Sequence, residues 1–161
     1  MAAKDRMKPF FPNGYGFAVQ IGQKLADIVL GLFSACVSTG QRGLQSRQRI
    51  VPMQTNPNAE PGRIPDCFTD IIPGNITAIS FCGLGLVGLP GEPYCEMGQQ
   101  IREQSDYPVT MVCCQANGAH GYFPMAANYD EPGGGYSVSA SHVKKGTAEQ
   151  LVREAVELLN G

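Results

Sequence analysis

The stretch "ITAISFCGLGLVGLPGEPYCEMGQQIREQSDYPVTMVCCQA", residues 76–116, decides the fold. Its first part holds two apolar runs, 76–83 and 84–90, which read as two strands joined tightly at Gly83 or Gly85. "PYCEMGQQIREQ", 93–104, reads as a helix, with Pro93 suited to its first turn. "YPVTMVCCQA", 107–116, reads as a further buried strand, with Cys113 and Cys114 acting as small apolar residues inside it. The order β-β-α-β follows.

On the C-terminal side lies a Gly- and aromatic-rich loop, "NGAHGYFPMAANYDEPGGGY". A helix over 146–160 closes the chain. Thr147 is its expected N-cap, Gln150 the capping-box partner, and Leu151, Ala155, Leu158 and Leu159 its apolar face. On the N-terminal side, residues 40–75 carry Pro52, Pro57, Pro61, Pro65 and Pro73, together with Arg42, Arg47, Arg49 and Arg63. They read as a long extended segment laid over a surface, with one short strand at "RIVPM". Residues 16–39 form an amphipathic helix in which Val19, Ala26, Val29, Leu30 and Phe33 lie opposite Gln20, Gln23, Lys24 and Asp27. Thr39-Gly40 ends it, and residues 1–15 form an N-terminal arm. The whole reads as an α/β (mixed α+β) chain, a sheet flanked by helices, in a single or partial domain with a core block at 76–160.

The chain has 161 residues, enough for one domain with a real core. With 12 basic and 14 acidic residues and no basic run, nothing points to nucleic acid or an anionic membrane surface. No stretch approaches the ~20 apolar residues of a membrane span. The N-terminal run lacks the apolar segment of a signal peptide, so the chain as written reads as cytoplasmic. The six cysteines form no CxxC pair, which argues against a zinc finger or a thioredoxin-type motif. Reduced structural thiols are expected, and the even count leaves disulfides open.

Gly83, Gly85 and Gly88 spell G-x-G-x-x-G, but the glycines lie inside the strand pair and do not open a helix, so the dinucleotide reading is rejected. Glu92 is the better candidate. It sits where an apolar run ends and a helix begins, held between Gly91 and Pro93. Ligands favour the carboxyl ends of strands, and a helix N-terminus keeps a carboxylate ionised. An ionised carboxylate is a competent metal ligand; the plain alternative is a poor N-cap. Asn117, His120, Tyr122 and Tyr129 crowd the loop after the next strand, and parallel strands would bring that loop to the same end of the sheet. Each of them also reads as an ordinary packing or hydrogen-bonding residue. Cys95 with His120 is a further alternative, a thiol nucleophile and its base.

The run from Asn75 to Gly161 resembles the neutral/alkaline, non-lysosomal ceramidase family and its bacterial relatives. The matching features are "GLPGEP" followed by a helix, then "ANGxxGYxP", a tyrosine in "AANYDE", a "GGY", and a Gly-Thr helix start with "LVREAVELL". The helix at 16–38 resembles the one that precedes this block in the family. The resemblance implies a zinc-dependent amidase that cleaves an N-acyl bond of a ceramide-like lipid, on part of a layered αββα catalytic domain. It implies Glu92 and Tyr129 as metal ligands, with Tyr136 and His120 as candidate catalytic residues and Tyr122 nearby.

In the family two zinc histidines come from the earlier half of the domain. Here the two histidines, His120 and His142, both follow Glu92. The resemblance therefore implies that an N-terminal half or a partner subunit supplies the remaining ligands, and that this chain alone is inactive. Family members are often secreted. A homo-oligomer built on the same scaffold, serving as a binding module without the chemistry, is the other reading.

Overall fold

The two prolines that look most like strand breakers, Pro52 and Pro73, face each other across a long antiparallel ladder. A computed structural model describes residues 15–38, 43–59, 62, 64–65, 67–68, 70–130 and 135–161. Strands β1 (Leu44–Gln54) and β2 (Ile71–Phe81) pair along their full length, from Leu44 opposite Phe81 to Gln54 opposite Ile71. This corrects the reading of 40–75 as an extended segment with one short strand. Proline lacks the N–H of an interior strand residue, but β1 is an edge strand. β2 pairs on its other side only from Thr77 onward, so Pro73 also lies where no second neighbour needs its N–H.

A two-residue turn at Cys82 and Gly83 joins β2 to β3 (Leu84–Gly88). Both turn residues have positive φ, 51° and 78°, the hairpin geometry that matches strand twist. Helix α2 (Cys95–Glu103) then carries the chain to β5 (Val109–Cys113), which lies parallel to β3. The sheet order is β1-β2-β3-β5. Gly85 lies against Leu159 and Tyr107, and Gly88 against Ala116, so two of the three motif glycines are packing positions.

The helix α2 begins two residues later than expected. Glu92 and Pro93 form a strand of their own, β4, parallel to β6 (Tyr122–Phe123). Glu92 is thus three residues short of the helix and does not cap it. A 3-10 helix (Ala126–Asp130) and a short α3 (Gly135–Ser139) follow. Helix α4 (Thr147–Asn160) has Gly146 as its N-cap, with a left-handed φ of 92°. Thr147 instead donates its hydroxyl to the Lys144 carbonyl at 2.7 Å, and no side chain caps the helix.

Leu151, Val152, Ala155, Leu158 and Leu159 bury the inner face of α4 against β1, β2, β3 and α2. Val51, Met53, Ile72, Ile76 and Val87 answer from the sheet. Arg49 also points to this side and holds Glu154 and Glu157 of α4. Cys113 is only half-buried and Cys114 exposed, because the strand ends at Cys113. All six cysteines are present as thiols.

The other side of the sheet is different. The paired rows Leu44–Phe81–Leu84–Val109 and Ser46–Ile79–Leu86–Met111 are apolar at every position but Ser46. Leu44 is 73% exposed, Val109 55% and Met111 50%. Along the whole outward set of β1, β2, β3 and β5 there is no Asp, Glu, Lys, Arg or His.

The chain divides into two compact units, Met1–Thr39 and Gly40–Gly161. The elements above belong to the second. In the first, α1 (Tyr15–Phe33) has no buried residue. Its 19 residues meet the length and composition of a membrane crossing, contrary to the expectation that no stretch comes near it, although Lys24 and Asp27 interrupt it. The N-terminal arm and the helix stop at Thr39-Gly40 fall largely or wholly outside the described residues.

Candidate functional site

The turn that presents Glu92 is bonded at each of its carbonyls. Leu89 O accepts from the Ala116 N–H at 2.8 Å, Pro90 O from His120 at 2.9 Å and Gly91 O from Gln115 at 2.7 Å. The Glu92 N–H donates to Gly121 O at 2.8 Å. Gly91 is required here. A Cβ at that position would stand 2.6 Å from Gly121 O and 2.8 Å from the Phe123 ring. The loop after β5 thus grips the loop after β3, and both lie at the carboxyl ends of parallel strands.

The Glu92 carboxylate is fixed as well. Gln115 Nε2 donates to its Oε1 at 3.0 Å. Tyr122 is its ladder partner, and the Glu92 charge raises the Tyr122 phenol above its ordinary value. Tyr136 packs edge-on against the Tyr122 ring, centroids 5.8 Å apart, and is itself exposed. Glu92, Gln115, Tyr122 and Tyr136 therefore form one cluster.

Tyr129 stands apart from it. Its hydroxyl lies 3.0 Å from both Ser141 Oγ and the Val143 carbonyl, and its one proton is donated within that pair. Burial is the main cause that raises its phenol, and the charges it feels are those of Glu149 and Tyr94. Ser141, fully buried, donates in turn to Tyr122 O at 3.0 Å. Tyr129 thus supports the backbone of Tyr122, and its hydroxyl is committed to that support.

His120 packs edge-on against Phe68 and feels the charge of His142. Burial first, then His142, pushes the imidazole below its ordinary value. It therefore stays neutral near pH 7. Cys95 opens α2 as an exposed residue, and His120 has its partners elsewhere.

Zinc commonly needs three or four protein donors. Among the described residues no group of three or more His, Cys, Asp or Glu is placed to hold one ion. Glu92 is a competent donor by type, held by the Gln115 amide. The Tyr129 phenol, kept neutral by burial and bonded elsewhere, is a poor one as it stands. The donors among the described residues do not close around an ion by themselves.

Sequence reasoning missed Gln115 and Ser141. Gln115 follows the end of β5 by two residues, with nothing in its spacing to mark it. Tyr122 was passed over as a ligand although it directly follows Gly121, whose carbonyl receives the Glu92 N–H. No family model, curated protein or solved structure matches this chain.

Proposed function

We propose that the chain is the C-terminal portion of a neutral-ceramidase-like, zinc-dependent amidohydrolase that cleaves an N-acyl amide bond of a ceramide-like lipid and works only with a missing half. The observation that supports this most is the fixing of Glu92: four backbone bonds hold the turn and an amide holds the carboxylate, at the carboxyl end of a sheet strand. A surface glutamate needs no such restraint. A bound zinc supplies carbonyl polarisation and an activated water. This chain contributes Glu92 to it. Of the two phenols, Tyr122 stands beside Glu92. Tyr129, the ligand the resemblance implies, reaches an ion only by giving up its bonds to Ser141 and Val143 O. Tyr136 and His120 line the surrounding loops, with His120 neutral. Two histidines come from the partner half, which also covers the uncharged sheet face.

The test is amide turnover with added zinc, by the chain alone and with a co-encoded polypeptide bearing two histidines. Turnover only in the pair supports the reading. Robust zinc-dependent turnover by the lone chain contradicts it.

The uncovered sheet face favours one second reading, a module that self-associates through Leu86, Met111 and their neighbours and has no hydrolytic role. Size-exclusion chromatography separates the two. A module is a stable homo-oligomer indifferent to zinc, whereas the half-enzyme associates with its partner.

A further inference from the structure

Gln115 is a long side chain at a backbone position that suits glycine or asparagine. Its φ is 49°, in the left-handed region, which strains an ordinary L-residue. Asn117, two residues on, is also left-handed at 65°, but its residue type tolerates the conformation, and its amide bonds Thr77 Oγ1 at 2.6 Å. Gln115 does two things. Its N–H donates to Gly91 O at 2.7 Å, and its side-chain amide donates to Glu92 Oε1 at 3.0 Å. The first needs only a backbone. Glycine would keep that bond and remove the strain. Asparagine would keep it too, but is one methylene shorter and falls short of the carboxylate. Glutamate has the length but would set a second negative charge against the first. Glutamine alone among these has the reach, a donor and no charge.

We infer that Gln115 is a positioning residue that orients the Glu92 carboxylate, engaging one oxygen and so fixing the plane in which the other is presented. Its backbone and side chain hold the same turn at two points, Gly91 O and Glu92 Oε1. The strain is kept because a less strained residue would lose the second point. The inference deepens the amidase reading and rests on it for its effect on turnover, while the geometry is tested without turnover.

The experiment uses the full chain with Gln115→Gly and Gln115→Asn. Three-bond NMR couplings to the Glu92 Cγ report its χ1 populations, and amide shifts of residues 89–92 report the turn. The native chain is expected to show one Glu92 rotamer. Both variants should keep the turn shifts and show an averaged Glu92. Glu92→Ala should move the Gln115 side-chain amide resonances. A single Glu92 rotamer in both variants, or Gln115 amide protons indifferent to Glu92→Ala, overturns the inference. In the zinc-loaded complex with the histidine-bearing partner, Gln115→Gly should lower kcat about tenfold or more with KM within about twofold, the signature of a misaimed group and not of lost binding. An unchanged kcat overturns the positioning role. If the complex with native Gln115 shows no turnover at all, the amidase reading fails, and the rotamer result still decides this inference.

Discussion

Gly91→Ala tests the turn on which the candidate site depends. The added methyl would lie 2.6 Å from Gly121 O and 2.8–2.9 Å from two Phe123 ring atoms. Phe123 is fully buried and cannot swing away, and Gly121 O is backbone. Gly121 O is also the acceptor of the Glu92 N–H, so moving it lengthens that bond. Overpacking of a tight site costs about 1–3 kcal/mol and a lost hydrogen bond about 1 kcal/mol, so about 2–4 kcal/mol is expected. In a domain of this size that lowers Tm by about 10 °C. Gly98→Ala is the control. It sits inside α2 with Arg102 Nη1, a flexible tip, as the nearest atom at 3.4 Å, and should stabilise by about 0.5–1 kcal/mol. The assay is urea unfolding followed by circular dichroism, with the Glu92 amide read by hydrogen exchange. If Gly91→Ala unfolds within about 0.5 kcal/mol of the native chain and keeps the Glu92 amide protected, the packing argument for the turn is wrong.

Three further outcomes are expected. Tyr129→Phe should cost about 1–2 kcal/mol in urea unfolding, since Ser141 and Val143 O lose a buried partner. The native Tyr129 phenol is raised, so its contribution is fully present below about pH 10 and declines as pH climbs toward the folded value; the variant should lose that alkaline sensitivity. His120 is lowered, so the stability it carries is present above its ordinary value of 6.5 and is lost as pH falls through the folded value. Unfolding midpoints at acid and neutral pH should therefore differ less in His120→Gln than in the native chain. Glu92→Gln removes the main cause of the raised Tyr122 phenol, so ultraviolet titration should find that phenol ionising at lower pH.

The parts of the fold legible in the sequence were those with a period. Leu151, Ala155, Leu158 and Leu159 mark α4, and the alternation around Ile76, Ala78 and Ser80 marks β2. Strand β1 was obscured because its polar run "QSRQR" reads as solvent-facing. Arg49 is in fact directed toward the acidic side of α4, and Pro52 and Pro73 fit because each lacks a neighbour on one side. The start of α4 was misplaced by one residue because Thr147 is a good cap by type, whereas Gly146 takes the left-handed conformation that the turn requires.

The candidate site was legible at Glu92, where glycine and proline flank a carboxylate at the end of an apolar run. The β4–β6 ladder was not legible, since two residues carry no periodicity. Without that ladder the choice between Tyr122 and Tyr129 had no local signal. It turns on which phenol lies across from Glu92 and which is buried against Ser141, and both are set by long-range pairing. The uncharged outer face of the sheet could be seen only once the register was known.

The most direct measurement is the zinc content of the chain purified together with a histidine-bearing partner, native against Glu92→Gln. One zinc per native complex, with most of it lost in the variant while the complex stays assembled, is the expected result. Full zinc in the Glu92→Gln complex, or no zinc in either, contradicts the account.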